Sequence, residues 1–204
     1  MTAALAVRWC DDGPAEAPAA AAPRGIDVIG LRGQGERESA RLAIRAALVA
    51  ALAARCGVDP ARVALHSPSG GAPWAVVDVD NAQRRIPLAI SHDGALSVAA
   101  FSVDGAAVGI DVSEIIPVPD WEAVARDYLG PAALEMLAAL PAGARDAAFA
   151  QAWSGHEARM KSLGWQLEEW QADREPALLA CRCLPLALPP GYAGSLAIAP
   201  PPAC

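Results

Sequence analysis

Lysine is almost missing from this chain. Lys161 is the only one, and arginine supplies the rest of the positive charge. With 23 acidic against 16 basic residues the formal net charge is -7, and no basic run exceeds Arg84-Arg85. A nucleic-acid binder needs a basic field, so that class of partner is not expected. Long apolar runs are missing too. The most apolar helical stretch, 41–55, is interrupted by Arg41, Arg45 and Arg55, so no transmembrane span is expected. The opening MTAALAVRWCDDG is apolar for a few residues and then acidic, without the positive head of a secretory signal. A cytoplasmic protein without a membrane partner is the expectation. Five cysteines, Cys10, Cys56, Cys181, Cys183 and Cys204, are odd in number and loosely spaced, which argues against a disulfide framework. Cys181 and Cys183 would share one face of a strand, yet a zinc site needs further ligands and none lies nearby in sequence. Neither phosphate fingerprint, GxxxxGK[ST] or GxGxxG, occurs, and Gly70-Gly71 is an isolated pair.

What is present is a large apolar content over 204 residues, 54% hydrophobic, enough for one large domain or two small ones sharing a core. Short strands are predicted at 3–10 and 25–30, with an Ala/Pro-rich loop at 13–24 between them. Glu36 to Arg55 carries Leu42, Ile44, Leu48 and Leu52 at helical spacing and stops at Gly57. Strands are predicted at 63–65, 74–80, 88–90, 96–103 and 107–112. A hairpin-like connection at 81–85 and an Asp104-Gly105 turn separate some of them. Asp120 and Pro131 open short helices over 121–128 and 132–140. A long helix spans 144–163 and stops at Gly164, and 176–188 and 192–199 read as strands. Helix then strands, twice over, suggests an α+β fold of two similar halves, 1–105 and 106–204, with a cleft between them. GIDV occurs at 25–28 and again at 109–112, but no repeat is strong enough to prove duplication.

Three pieces carry chemistry. Phe149, Trp153, Glu157 and Lys161 are each four apart and share one helix stripe. By spacing alone, Glu157 and Lys161 are equally an exposed surface pair worth about 0.2–0.5 kcal/mol. The uniqueness of Lys161 favours a role for a compact point charge that a planar guanidinium would not fill. Asp111 ends the apolar run AAVGI, where a carboxylate is costly unless paired, hydrated or metal-bound; the plain alternative is a strand-end Asp entering a loop. Asp111 with Glu157 makes a two-carboxylate set suited to magnesium, which keeps several waters. His92 lies in a Ser91-His92-Asp93-Gly94 turn after the strand Leu88-Ala89-Ile90. Adjacent residues do not make a serine-protease relay, which is defined by spatial geometry. Phosphate hydrogen bonding suits His92 better, beside the alternative of no role.

In this order the pieces resemble the 4'-phosphopantetheinyl transferase superfamily, in its larger, surfactin-synthetase-activating type. That family carries a Ser-His-small-Gly turn, a G-[IV]-D strand and a W-x-x-K-E-A-x-x-K helix. They are matched here by Ser91–Gly94, Gly109–Asp111 and Trp153–Lys161. Arg37 to Arg45, Pro131 to Leu140 and 190–199 extend the similarity, so that it covers roughly residues 30–200. The resemblance implies a pseudo-dimer of α+β halves within a single chain, expected to be monomeric. It implies magnesium-dependent transfer of the phosphopantetheine arm of coenzyme A, the co-substrate, to a serine of an acyl or peptidyl carrier protein. The released product is 3',5'-adenosine diphosphate. By the same resemblance Asp111 and Glu157 hold the metal, and His92, Ser91, Arg41, Arg45 and His156 contact coenzyme A. Lys161 contacts the pyrophosphate and assists proton movement. The base that takes the serine proton is Glu157 or a metal-bound water.

This chain departs from that pattern at three places. Ser113 stands where a third metal-binding acid is frequent, and the adjacent Glu114 points the other way on a continuing strand. His156 replaces the first lysine of the signature helix, with less charge at neutral pH and shorter reach. Ala72, within Gly71-Ala72-Pro73, replaces a cation ahead of the histidine turn; Arg41, Arg45, Arg84 or Arg85 would compensate, Arg41 first. These losses weaken the phosphate grip and leave the metal pair intact. Two other readings stay open: a non-catalytic relative that binds coenzyme A or a carrier protein, and a different metal-dependent phosphate enzyme. Carrier docking on so acidic a chain requires a local apolar or arginine-bearing patch, with 112–130 and the Arg159 neighbourhood as candidates.

Overall fold

A stripe of Ala40, Ile44, Leu48, Ala51 and Leu52, spaced three or four apart, turns residues Arg37–Cys56 into an amphipathic helix, α1. The computed structural model to which it belongs describes residues 3–11, 20–33, 37–80 and 82–201; residues 13–19 of the expected Ala/Pro-rich loop, Glu36, Asn81 and Cys204 lie outside these. Leu42, expected within the stripe, is 66% exposed. Two residues before Ile44 it is rotated some 200° around the axis and faces out.

The buried face of α1 covers a six-stranded sheet. Its strands are β1 (Arg8–Trp9), β2 (Ile26–Arg32), β3 (Val63–His66), β4 (Trp74–Val79), β5 (Ala82–Asp93) and β6 (Leu96–Ser102), in the order β1-β2-β6-β5-β4-β3. Only β1 and β2 pair in parallel. The strand β5 is longer than expected: residues 82–87 pair with β4 and 88–93 with β6. The polar run Gln83-Arg84-Arg85 disguised its first half, because those side chains face solvent while the backbone stays in the ladder. Likewise Ser91, His92 and Asp93 are strand residues, and the turn comes only at Gly94.

A second, three-stranded sheet has the order β7-β9-β8, from Val108–Glu114 (β7), Arg182–Pro185 (β8) and Tyr192–Ile198 (β9). One face of it packs on the larger sheet through Val108, Ile110, Val112, Leu184 and Leu196 against Ile26, Val28, Val98 and Ala100. The segment before β1 joins the two sheets. Leu5 exchanges backbone hydrogen bonds with Pro185 and Ala187, while Arg8 and Trp9 pair with β2.

The remaining helices follow β7. They are α2 (Trp121–Val124), continued by a wide turn over Ala125–Leu129, then α3 (Pro131–Ala138), α4 (Ala142–Ser162) and α5 (Glu175–Ala180). The last replaces most of the strand expected from residue 176: Pro176 in the first turn and the Ala-Leu-Leu-Ala that follows favour a helix. Cys181 consequently caps α5 and is buried, whereas Cys183 lies on β8, so the two do not share one strand. The architecture is mixed α+β, with sheets of unequal size.

Candidate active site

Side chains alternate along β7. Val108, Ile110 and Val112 enter the inter-sheet core, which turns Gly109, Asp111 and Ser113 to the other side. Gly109 lets α4 lie directly on the strand: a Cβ there would run into the Ala158 carbonyl oxygen and come within 2.5 Å of the Ser162 nitrogen. That contact sets the height of the last turns of α4 over Asp111, which is 4% exposed.

Lys161 bridges two carboxylates. Its Nζ donates to Asp111 Oδ1 at 2.6 Å and lies 3.4 Å from Glu157 Oε2, one helical turn back. The Ser91 hydroxyl donates to the same Asp111 oxygen at 2.7 Å, and the Val112 amide approaches the Ser91 oxygen at 3.4 Å. Ser113 Oγ stands 3.5 Å from Asp111 Oδ2. Burial lifts the Asp111 carboxyl from 3.8 to about 6; Lys161 pulls against that rise and Glu157 adds to it. Ser91 thus hydrogen-bonds the aspartate as well as lining a recess that Asp111 also lines.

His92, on β5, has Nδ1 2.8 Å from Ser97 Oγ. Burial holds its pKa below the usual 6.5, and the charges of Arg41, Arg37 and Lys161 lower it further. A neutral imidazole among three cations is a setting that attracts an anion. The surroundings provide the room. A cavity of about 620 Å3 is walled by Arg41 and Arg45 of α1, Ala72 and Pro73, His92, Glu157 and Lys161, and the segment Gly164–Leu167. A second recess of about 380 Å3 lies beside it, with Asp111, Ser91, Ser113 and Arg37 in its lining. Arg41, His92, Glu157 and Lys161 line both. Gln166, in the wall of the larger cavity, donates its Nε2 hydrogen to the Gly70 carbonyl at 3.1 Å.

His156 departs from its expected role. It lines neither cavity, is 8% exposed, and its buried Nε2 has no hydrogen-bond partner among the described residues. One residue before Glu157 means about 100° around the helix, enough to turn it away from the cavities. Burial, and then Arg159, hold its pKa below 6.5. Arg84 donates to the Val103 carbonyl and Arg85 lies over the Trp74 ring at 4.1 Å, so Arg41 and Arg45 are the cations that face the cavity beside Ala72. Glu114 is exposed, as expected from strand alternation, and its amide donates to Asp93. Asp27, in the first GIDV copy, pairs with Arg55 at 3.1 Å on the surface.

Among the described residues, no three His, Cys, Asp or Glu side chains converge as a metal cluster. Two carboxylates do converge, closely enough for one ammonium to reach both. This hard-oxygen pair fits magnesium, which takes one or two protein carboxylates and completes its shell with water and phosphate.

The comparison with known protein families covers part of the chain. Residues 107–181 match the 4'-phosphopantetheinyl transferase superfamily. The matched segment runs from the start of β7 through α5 and contains Asp111, Glu157 and Lys161; His92, Arg41 and Arg45 lie outside it. No curated protein matches the chain. The match supports a function of the phosphopantetheinyl-transfer type and, with it, a general association with coenzyme A, magnesium and carrier proteins. Among the described residues no helix is long and apolar enough to cross a membrane.

Sequence reasoning did not find Ser97, which orients His92, nor Gln166 in the cavity wall. Ser97 lies within an otherwise apolar strand, and Gln166 follows the helix stop at Gly164 without any motif around it.

Proposed function

We propose that this protein is a magnesium-dependent phosphopantetheinyl transferase of the larger, surfactin-synthetase-activating type. It moves the 4'-phosphopantetheine arm of coenzyme A to a carrier-protein serine. The observation that carries the reading is the convergence of Asp111, Glu157 and Lys161, with Glu157 and Lys161 lining a cavity whose wall also bears Arg41, Arg45 and His92, and Asp111 lining the recess beside it. The two-half pseudo-dimer, divided at 105/106, and a monomeric state belong to the same proposal.

In this reaction the serine hydroxyl oxygen forms a bond to the phosphorus that carries the pantetheine arm. The bond from that phosphorus to the bridging oxygen breaks, and 3',5'-adenosine diphosphate leaves with the bonding pair. Asp111 and Glu157 would hold magnesium, which supplies charge neutralisation to the pyrophosphate when bound. Arg41, Arg45 and His92 bind coenzyme A phosphates, and Lys161 faces the pyrophosphate. Glu157 lines both recesses and is the protein group available to take the serine proton. Positioning and electrostatics carry such a displacement. The exposed Ile116, within 112–130, suits carrier docking better than Arg159, which is half-buried.

The test is intact-mass analysis of apo acyl and peptidyl carrier proteins incubated with the protein, coenzyme A and magnesium. A mass gain equal to the phosphopantetheine arm, lost in Asp111→Ala and Glu157→Ala, is the expected result. Absence of any gain despite measurable coenzyme A binding would favour the second reading, a non-catalytic binder. Ser113 in place of a third acid is the observation on its side. Ala72 leaves the cavity wall without a cation at that point, so Ala72→Arg is expected to lower the KM for coenzyme A with kcat little changed. Steady-state kinetics of the two proteins check this.

A further inference from the structure

Asp111 and Glu157 already have a cation between them, and it is covalently part of the chain. The ammonium of Lys161 is 2.6 Å from one carboxylate and 3.4 Å from the other, and its third near neighbour is Ser91 Oγ at 3.5 Å. A divalent ion reaching both carboxylates would come within a few ångströms of that ammonium. Repulsion between two cations so close, in a site with Asp111 almost fully buried, works against both staying in place. The surroundings make exchange feasible. Lys161 is 32% exposed at its side chain, lines both cavities and has a flexible stem, so its head can swing from the carboxylates into the larger cavity.

We propose that Lys161 is the resident counter-ion of the Asp111–Glu157 pair and that a divalent cation enters by exchange with it, releasing the ammonium toward the phosphates of the ligand in the larger cavity. This rests on the phosphopantetheinyl-transfer reading and adds an order to it. The metal alone must displace a paired lysine that then has no new anion to meet. With a diphosphate ligand present, the displaced ammonium gains a partner. Metal and ligand therefore bind with positive coupling, and each strengthens the other equally. The chain's lack of any other lysine gives the exchange a unique label.

The experiment labels lysine with 13C at Cε in tag-free protein at pH 8, giving one side-chain resonance. Magnesium is titrated with and without coenzyme A, and magnesium binding is measured in parallel by calorimetry. The Lys161 resonance is expected to shift saturably with magnesium, at lower concentration when coenzyme A is present, and to ignore magnesium in Asp111→Asn. In calorimetry without coenzyme A, Lys161→Met and Lys161→Gln are expected to bind magnesium about tenfold more tightly than the parent, since the competing charge is gone. Two neutral variants guard against one that misfolds, with circular dichroism as the check. Magnesium binding that leaves the Lys161 resonance unmoved, or equal affinity in parent and variants, overturns the exchange and leaves the transferase reading intact. Magnesium binding to none of the proteins, with or without coenzyme A, overturns the transferase reading itself.

Discussion

His156 and Asp111 are both buried on or beside α4, and they act oppositely on stability. The folded pKa of His156 lies below 6.5, so near pH 7 the side chain is neutral in both folded and unfolded chains. As pH falls through 6.5 the unfolded chain takes a proton that the folded one resists, and stability drops. For Asp111 the folded pKa of about 6 exceeds 3.8, so its contribution is fully present below about 4 and is lost as pH rises to 6. The two slopes overlap, and a variant is needed to separate them. His156→Asn is expected to lose less stability than the parent between pH 7 and pH 5. Urea midpoints measured across that range check this; parallel curves for the two proteins would remove His156 as a source of acid sensitivity. A buried carboxylate with a raised pKa carries a cost to folding that the proposed function would account for.

Between β7 and α4 the decisive contact has no side chain on one side of it. Gly109 admits the Ala158 backbone, and this closeness is what puts Lys161 on Asp111. Gly109→Ala is expected to cost about 1–3 kcal/mol through overpacking, and to lower transferase activity with it by lifting α4 off the strand. Gly143, in the first turn of the same helix, has open space around its Cα. Gly143→Ala is expected to be neutral or to stabilise by up to about 1 kcal/mol. Urea denaturation of both variants is the measurement. A Gly109→Ala variant as stable as Gly143→Ala would mean that the close β7–α4 approach does not govern the Gly109 position.

Across the whole molecule, the site draws on segments far apart in sequence. Arg41 and Arg45 come from α1, His92 from β5, Asp111 from β7, and Glu157 and Lys161 from α4. Two features tie these parts together. The segment Leu5–Trp9 links the edges of both sheets, Leu5 to Pro185 and Ala187 and Arg8–Trp9 to β2, and the turn after β5 is pinned by the Ala95 amide donating to the Tyr192 hydroxyl at 3.0 Å. The Gln166–Gly70 hydrogen bond is an exposed contact beside the larger cavity, which Gln166 lines. On the proposed function, Gln166→Ala is expected to raise the KM for coenzyme A severalfold while leaving kcat near the parent value, because Gln166 lines the cavity and hydrogen-bonds Gly70 rather than Asp111, Glu157 or Lys161. Steady-state kinetics with varied coenzyme A decides it; a fall in kcat at constant KM would reassign Gln166 to the chemical step.

The chain's own order of residues was enough to mark α1, α4, β6 and most of β7, the first three from a clear period with a stop signal such as Gly57, Gly164 or Asp104-Gly105. It also singled out Asp111, Glu157 and Lys161, because a lone lysine one turn from a glutamate and an aspartate closing an apolar strand are local anomalies. Local pattern failed where long-range pairing overrides it. The polar first half of β5 is a strand only because β4 and β6 supply its hydrogen bonds, and Ser91 and His92 are strand residues for the same reason. Periodicity places α5 and His156 poorly, since a six-residue helix has hardly any period and a one-residue step around α4 separates a cavity wall from a buried position. Sequence thus determined which groups are chemically unusual. Only the tertiary structure decided that one ammonium would lie on two carboxylates, because that depends on a glycine 52 residues from the lysine leaving room for a backbone to approach.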